Sequence, residues 1–362
     1  MRFPFDIYNV ADKLSLEMRR QHAKSSDYDC PFCGGKGKLN LNVELNTYRC
    51  NKCGLSGGML DLFCNCTGIQ NRKEAYKILA EKDNRITAEI RKKREEKVSS
   101  IKEASKADVQ TLDRVYTALL DILELKSNHR KDLFRRGLSS NDIYLNRYKS
   151  VPVEHPERII SMMIEQGFNL IGVPGFYVDE NGEIQMNVYN FMDGYFVPVY
   201  NSRRQIRAMQ IRLDNPLDGK RKYMWLSSSE KTGGCSSNSP ADICGDLFNS
   251  EVIYITEGPL KGQTAHALSG KPFISIAGVS QMKELDVIFK ALHKKGKCCT
   301  IVDAMDTDDD VNEHVRQAHI NLAWLAKNNG FIPRRLTWDR AYKGIDDYLL
   351  AVKEKKGEKN EV

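Results

Sequence analysis

A chain of 362 residues with 41% apolar side chains can build two or three separate cores, and no run in it approaches the roughly 18–20 apolar residues of a membrane span. Lys and Arg (55) outnumber Asp and Glu (48), a net charge of +7 that permits nucleic-acid contact without requiring it. The first twenty residues hold neither a continuous apolar run nor a small-residue cleavage site, so they do not read as a secretory signal, and the expected location is the cytoplasm.

Residues 28–63 are rich in Cys, Gly and Asn in short alternating segments. Cys30-Pro-Phe-Cys33 and Cys50-Asn-Lys-Cys53 are separated by sixteen residues. Each pair can place two thiolates on one ion, and the two pairs complete a tetrahedral sulfur site for structural Zn²⁺ with no position left open for catalysis. Gly34, Gly35 and Gly54 follow the pairs, where tight turns require positive φ. Cys64, Cys66, Cys235, Cys244, Cys298 and Cys299 make no second pattern, and Cys298 and Cys299 read as buried small side chains. Lys36, Lys38, Tyr48, Arg49 and Lys52 decorate the ribbon, a mixture suited to single-stranded DNA; the alternative is a solvated spacer.

Residues 71–81 read as a helix, 87–108 as a charged, solvated helical linker, and 112–125 and 135–148 as further helical segments. From 151 to 244 short β-like runs (GFYVD, GYFVPVY, QIRAMQIRL, KYMWLS) are broken by Gly, Asn and Asp turns. This stretch carries Arg203, Arg204, Arg207, Arg212, Lys220, Arg221 and Lys222, of which Arg207, Arg212 and Lys222 are the predicted phosphate contacts. Tyr223 and Trp225 stack on bases or fill the core. From 251 strands and helices alternate: strands at 252–256, 271–277, 298–305 and 334–338, helices at 259–269, 281–295 and 311–329. Such alternation argues a parallel sheet covered by helices, with ligands at the carboxyl ends of its strands.

Three acidic motifs follow predicted strands: Glu257 in YITEGPLKG, Asp306-Thr-Asp308 after CCTIVDAM, and Asp346-Asp347 in KGIDDYLL. On one sheet edge such carboxylates repel each other unless cations neutralise them, and hard divalent ions are the natural partners. Asp309 and Asp310 read as helix caps. Lys261 and Lys343 lie near the acids as candidate phosphate contacts, against a reading as solvated surface. No GxxxxGK[ST] motif appears, so this chain carries no helicase motor of that kind, and any helicase it needs is a separate chain.

The order Glu-Gly, DxD, acidic pair resembles a TOPRIM domain. CPFC…CNKCG followed by GGMLDLF resembles the zinc-binding domain of DnaG-type and phage primases. GVPGFY, IRLD, KYMWLSS, TEGPLKG and KGIDDYLL look like primases of phages and mobile elements. The resemblance covers about 28–70 and 165–352. It implies a multidomain α+β and α/β chain with a zinc-ribbon DNA-binding domain at 1–70, a basic α/β lobe at 151–247 and a TOPRIM domain with a mostly parallel sheet at 248–355; the composition of the rest gives a helical linker region at 71–150 and a charged, frayed tail at 356–362. It also implies Mg²⁺ or Mn²⁺ on Glu257, Asp306, Asp308, Asp346 and Asp347, and synthesis of short RNA primers from NTPs on a single-stranded DNA template, with a separate helicase as possible partner. The rival readings are a TOPRIM nuclease and a non-catalytic DNA-binding or helicase-loading protein. Two departures stand out. All four zinc ligands are Cys where many relatives have a His, and in VDAMDTDDD Asp303 competes with Asp306 for the first acid of the DxD, Asp306 being preferred.

Overall fold

The computed structural model describes residues 4–22, 24–69, 71–80, 102–217, 221–278, 282–306 and 313–358. They form two compact units: Met1–Ala104 with Leu217–Arg221 and Ser229–Gly233, and Ser105–Pro216 with Lys222–Ser228 and Gly234–Val362.

In the first unit, α1 (Ile7–Lys13) starts where Asp6 accepts the Tyr8 and Asn9 amides, each at 2.9 Å, while Asn9 accepts the Asp6 amide in return. Strands β1 (Met18–Gln21), β2 (Ser25–Tyr28), β3 (Leu39–Asn42), β4 (Thr47–Cys50) and β5 (Ser56–Gly58) form one sheet in chain order, every neighbour antiparallel. Leu39 and Leu41 point into the core while Asn40 and Asn42 are half-buried, the period of two expected of a sheet with one wet face. α2 (Met59–Thr67) and α3 (Arg72–Ala80) cover the inner face with Leu62, Phe63, Ala75 and Leu79. The helix expected at 71–81 is α3.

The second unit opens with α4 (Val109–Ile122), α5 (Ser127–Arg135) and α6 (Ser140–Leu145), then β6 (Lys149–Ser150) and α7 (Pro156–Glu165). Strands β7 (Phe176–Val178) and β8 (Ile184–Met186) make a small ribbon. β9 (Gly194–Tyr200), β10 (Ile206–Leu217) and β11 (Arg221–Trp225) join β6 in a four-stranded sheet ordered β11-β10-β9-β6. The five-stranded sheet is ordered β12-β14-β13-β15-β16, from β12 (Asp242–Cys244), β13 (Val252–Glu257), β14 (Phe273–Ile276), β15 (Thr300–Asp303) and β16 (Ile332–Arg335). All its pairs are parallel except β12 with β14. α8 (Pro259–Ser269) and α11 (Ile345–Glu358) pack together on one face, and α9 (Met282–Lys295) and α10 (Glu313–Asn328) cover the other, as right-handed crossovers require. Ile253, Ile255, Ile274, Ile276 and Ile301 fill the centre against Leu285, Phe289 and Leu322. A buried polar joint ties the two sheets: Gln263 on α8 donates to the Pro198 carbonyl at 2.8 Å and to Asp242 at 3.1 Å, and Asp242 accepts the Tyr200 amide at 2.7 Å. Burial raises the Asp242 carboxyl to about 6 against those hydrogen bonds.

Several expectations need correcting. Residues 102–108 are not helical: Ala107 donates its amide to the Gly172 carbonyl at 2.9 Å and Lys106 Nζ donates to the Ser237 carbonyl at 2.7 Å, long-range bonds that replace a helical ladder. The stretch 81–101 of the expected linker lies outside the described residues. Residues 351–358 continue α11 rather than fray, because Ala351 and Val352 are half-buried. β15 begins only at Thr300, so Cys298 is half-buried and Cys299 exposed instead of lying in a core strand. β16 starts two residues earlier than expected, at Ile332. α7, which buries Ile160 and Met163, was not anticipated.

Candidate functional site

The first unit brings four thiols together. The Sγ atoms of Cys30, Cys33, Cys50 and Cys53 all lie within 4.8 Å of one another, with Cys30–Cys53 at 3.8 Å and Cys33–Cys50 at 3.6 Å. A tetrahedron of Zn–S bonds of about 2.3 Å has S···S edges of about 3.8 Å, so the set fits Zn²⁺. Each knuckle is closed by a glycine in the left-handed region: Gly34 (φ 57) donates to the Cys30 carbonyl at 2.8 Å and Gly54 (φ 79) to the Cys50 carbonyl at 2.9 Å. The Lys52 and Cys53 amides both point at Cys50 Sγ from 3.3 Å, the kind of outer contact that favours a thiolate. Hydrogen bonds from Cys30 and Cys33 hold the Cys50 thiol far below its ordinary value.

The second unit gathers acids at the carboxyl ends of its parallel strands. β13 ends on Glu257, and Gly258 (φ 87) turns the chain into α8, whose first turn carries Lys261. Lys261 Nζ is ion-paired to Asp306, three residues beyond the end of β15, and the two side chains are 20% and 12% exposed. Asp346 stands in the first turn of α11 at 7% exposure. Its Oδ1 is buried with no hydrogen-bond partner among the described residues. Gly344 lies against Lys261 and Asp346 so closely that any Cβ there would press on both. The electrostatics agree with this clustering. Burial pulls the Lys261 ammonium down, but Asp306, Asp346 and Glu257 outweigh it and raise its pKa. Burial pushes the Asp346 carboxyl up past the opposing pull of Lys261 and Arg136, and Asp347 adds to the rise.

Glu257, Lys261, Asp306 and Asp346 are therefore brought together, and Asp347 adjoins them on the exposed side. Among the described residues the four thiols are the one set of potential ligands within 4.8 Å of each other, and the acids stand further apart. Asp308 lies outside the described residues. Lys343 is exposed, two residues before α11. Asp303, the rival first acid, closes β15 and is only 7% exposed. It holds His319 Nδ1 at 2.5 Å and the Met305 amide at 3.1 Å, and His319 Nε2 meets Arg335 at 3.3 Å. That chain ties β15, α10 and β16 to one another.

A cleft of about 300 Å³ opens beside the acids, lined by Asp132, Arg135 and Arg136 near the end of α5, Arg212 of β10, and Asp346, Asp347 and Leu350 of α11. Arg136 donates to Asp132 at 3.1 Å, and Tyr195 donates to the same oxygen at 2.9 Å. Sequence reasoning missed Arg136; the signal was the doubled arginine before Gly137, which turns the chain at φ 85. Arg212 lines this cleft with its guanidinium 5.5 Å from the Tyr223 ring centroid. Arg207 does not join it: its guanidinium is bound to Glu284 at 2.6 Å, and Glu284 also accepts the Ala241 amide at 2.7 Å, so the arginine holds β10 to α9. Lys222 is exposed on β11.

The model of a domain of unknown function, DUF3854, matches residues 248–356, the stretch that holds β13 to β16 and the acids. No curated protein matches the sequence closely enough to count. Among solved structures, the fold is similar to the zinc-binding and RNA polymerase domains of the Aquifex aeolicus primase, with a TM-score of 0.51 at 14% identity over 98% of this chain and 82% of that one. The RNA polymerase domain of Mycobacterium tuberculosis primase DnaG, crystallised with a double-stranded DNA oligomer bearing a 6-nucleotide overhang, aligns with a TM-score of 0.52 at 12% identity over 69% of this chain and 81% of that one. The same domain with another DNA duplex gives 0.52 at 13% identity over 68% and 79%. At these identities the likeness is one of fold: a mixed α/β multidomain architecture shared with DnaG-type primases.

Proposed function

We propose that this chain is a DNA primase, synthesising short RNA primers from NTPs on single-stranded DNA. In this reading residues 1–70 are a zinc-ribbon DNA-binding domain, 71–150 a linker region, 151–247 the basic lobe that holds template and primer, and 248–355 a TOPRIM domain of the kind found on phages and mobile elements. The observation that carries the proposal is the buried Asp346 oxygen, without a hydrogen-bond partner among the described residues, beside the Lys261–Asp306 pair at the carboxyl end of a parallel sheet. The donor set of Glu257, Asp306 and Asp346, with Asp347 and Asp308 adjoining in sequence, fits hard divalent cations. When bound, Mg²⁺ or Mn²⁺ supplies Lewis-acid polarisation of the reacting phosphate and neutralises the leaving pyrophosphate. The chain's own groups do the rest. Lys261 compensates the carboxylates and is within reach of an incoming phosphate. Arg136 and Arg212 face the acids across the cleft, where planar guanidinium groups match a triphosphate. Lys222 and Lys343 stand exposed to neutralise backbone phosphates. Glu257 serves as a metal ligand or a general base.

The test is primer synthesis from labelled NTPs on single-stranded DNA with Mg²⁺ or Mn²⁺, comparing wild type, Asp306→Asn and Asp303→Asn. The expected result is metal-dependent oligoribonucleotides that fall about a hundredfold or more in Asp306→Asn. Asp303→Asn keeps activity because the amide retains the shape of the His319 contact. The reverse pattern moves the first acid of the DxD to Asp303. Degradation of the template without product would overturn the polymerase in favour of a nuclease on the same acids. DNA binding with neither reaction would leave a non-catalytic module.

A further inference from the structure

On the face of the sheet away from α8 and α11, helices α9 and α10 present an outer surface that has no part in the acidic edge. The C-terminal end of α10 lies along α9: Asn329 donates to Asp286 near the start of α9 at 3.1 Å, and the rings of His293, in its last turn, and Phe331 stand edge-on with centroids 6.1 Å apart. On α10, Ile320 and Trp324 lie one turn apart and are 54% and 65% exposed. That is unusual for an indole, the largest apolar side chain a core can take up. Lys327 follows on the next turn, also exposed. Directly after His293, α9 finishes in Lys294 and Lys295, with Lys297 just beyond, all three exposed. From residue 314 to 338 the sequence contains no Asp or Glu.

We propose that this surface is a second binding site for single-stranded DNA, with Trp324 stacking on a base and Lys294, Lys295, Lys297 and Lys327 on the flanking phosphates. An exposed indole with cations around it offers what an unpaired strand presents: flat apolar faces at intervals along a polyanion. An amphipathic partner helix needs a broad apolar groove; Ile320 and Trp324, with Val287 66% exposed on α9, are single exposed side chains on two helices that also carry the exposed lysines. The site uses none of the acids of the catalytic edge, so it stands whether or not the chain polymerises.

The experiment takes the full-length, zinc-loaded protein without divalent cation or NTP and adds oligothymidylate of about twelve nucleotides, a length in the range such sites occupy. Trp324 is the most exposed of the three tryptophans, with Trp338 8% exposed and Trp225 half-buried, and the part of the quenching that disappears in Trp324→Ala is its own. Wild type shows quenching that saturates with the anisotropy of a labelled oligonucleotide. Trp324→Ala loses the quenching and weakens binding of a longer strand about tenfold. A combined Lys294→Glu and Lys295→Glu change, which leaves the fluorophore in place, weakens the quenching titration by a similar factor and flattens its salt dependence. No quenching in wild type, or equal strand affinity in all three proteins, overturns the proposal. Quenching by poly-glutamate but not by oligothymidylate also overturns it, in favour of an acidic protein partner. Primer synthesis on short templates is retained in Trp324→Ala, so a general absence of primer synthesis counts against the polymerase and not against this site.

Discussion

Asp346→Asn separates a carboxylate kept for function from one kept for stability. In the wild type the carboxyl is 7% exposed, with one oxygen unpartnered among the described residues. Burial raises its pKa despite Lys261 and Arg136. A folded-state pKa above the unfolded one means that the unfolded chain ionises first. The native state therefore loses stability as pH rises through the ordinary carboxylate value of 3.8, and the loss is complete above the folded pKa. A buried polar atom left without a partner costs about 1–3 kcal/mol, and the attraction of Lys261 and Arg136 returns part of that. Asp346→Asn should thus stabilise the second unit by about 1 kcal/mol at neutral pH in metal-free buffer and by nothing near pH 3. With a urea m-value of roughly 3 kcal/mol/M for a unit of this size, the midpoint rises by about 0.3 M. All three tryptophans, Trp225, Trp324 and Trp338, belong to the second unit, so tryptophan emission follows its unfolding alone. Millimolar Mg²⁺ should raise the wild-type midpoint and leave the variant's unchanged. A variant less stable than wild type by 1 kcal/mol or more would show that the carboxylate is a structural partner of Lys261 and Arg136, and would refute the reasoning.

Two further perturbations follow from the geometry. Stripping zinc, or Cys33→Ser, should abolish most of the β-structure of the first unit, because a four-thiolate site holds ~10 kcal/mol or more of folding free energy in so small a sheet; far-UV circular dichroism should fall while tryptophan emission stays as it was, and a change in emission would contradict this. Arg207→Ala should lower the stability of the second unit by about 1 kcal/mol, since its half-buried partner Glu284 keeps the Ala241 amide. DNA affinity, read by fluorescence anisotropy, should hardly move, whereas a loss of affinity at unchanged stability would restore Arg207 as a phosphate contact.

Local chemistry explains what was legible in advance. The paired CxxC knuckles state their own ligand set, and Pro259 and Gly270 bracket α8 so that its bounds follow from the residues. Alternation from 251 onward was readable because β13 and β14 are short apolar runs closed by Gly or Pro. What escaped depends on tertiary partners. Nothing near Arg207 announces Glu284, seventy-seven residues away. Asp303 and Asp306 look alike in VDAMD, and only the fold shows His319 held by the first and Lys261 by the second. Asp346 and Asp347 were expected after a strand and instead open α11, which is why one is buried and the other is not. Arg136 reaches the cleft from a helix that carried no acidic motif.

The central position of β13 has a consequence for biosynthesis. It precedes both of its neighbours in the chain, yet lies between them in the sheet. While the polypeptide is being made, each of its hydrogen-bonding edges stays bare until β14 and then β15 has emerged. The pairing of Val252 with Thr300 must also close a long loop, which slows assembly relative to the hairpins of the first unit. Glu257 therefore waits alone at the tip of an unfinished strand, Asp306 joins it only after β15 docks, and Asp346 arrives later still with α11. The acidic edge is therefore the last feature of this unit to be assembled, complete only when the C-terminal helix has docked.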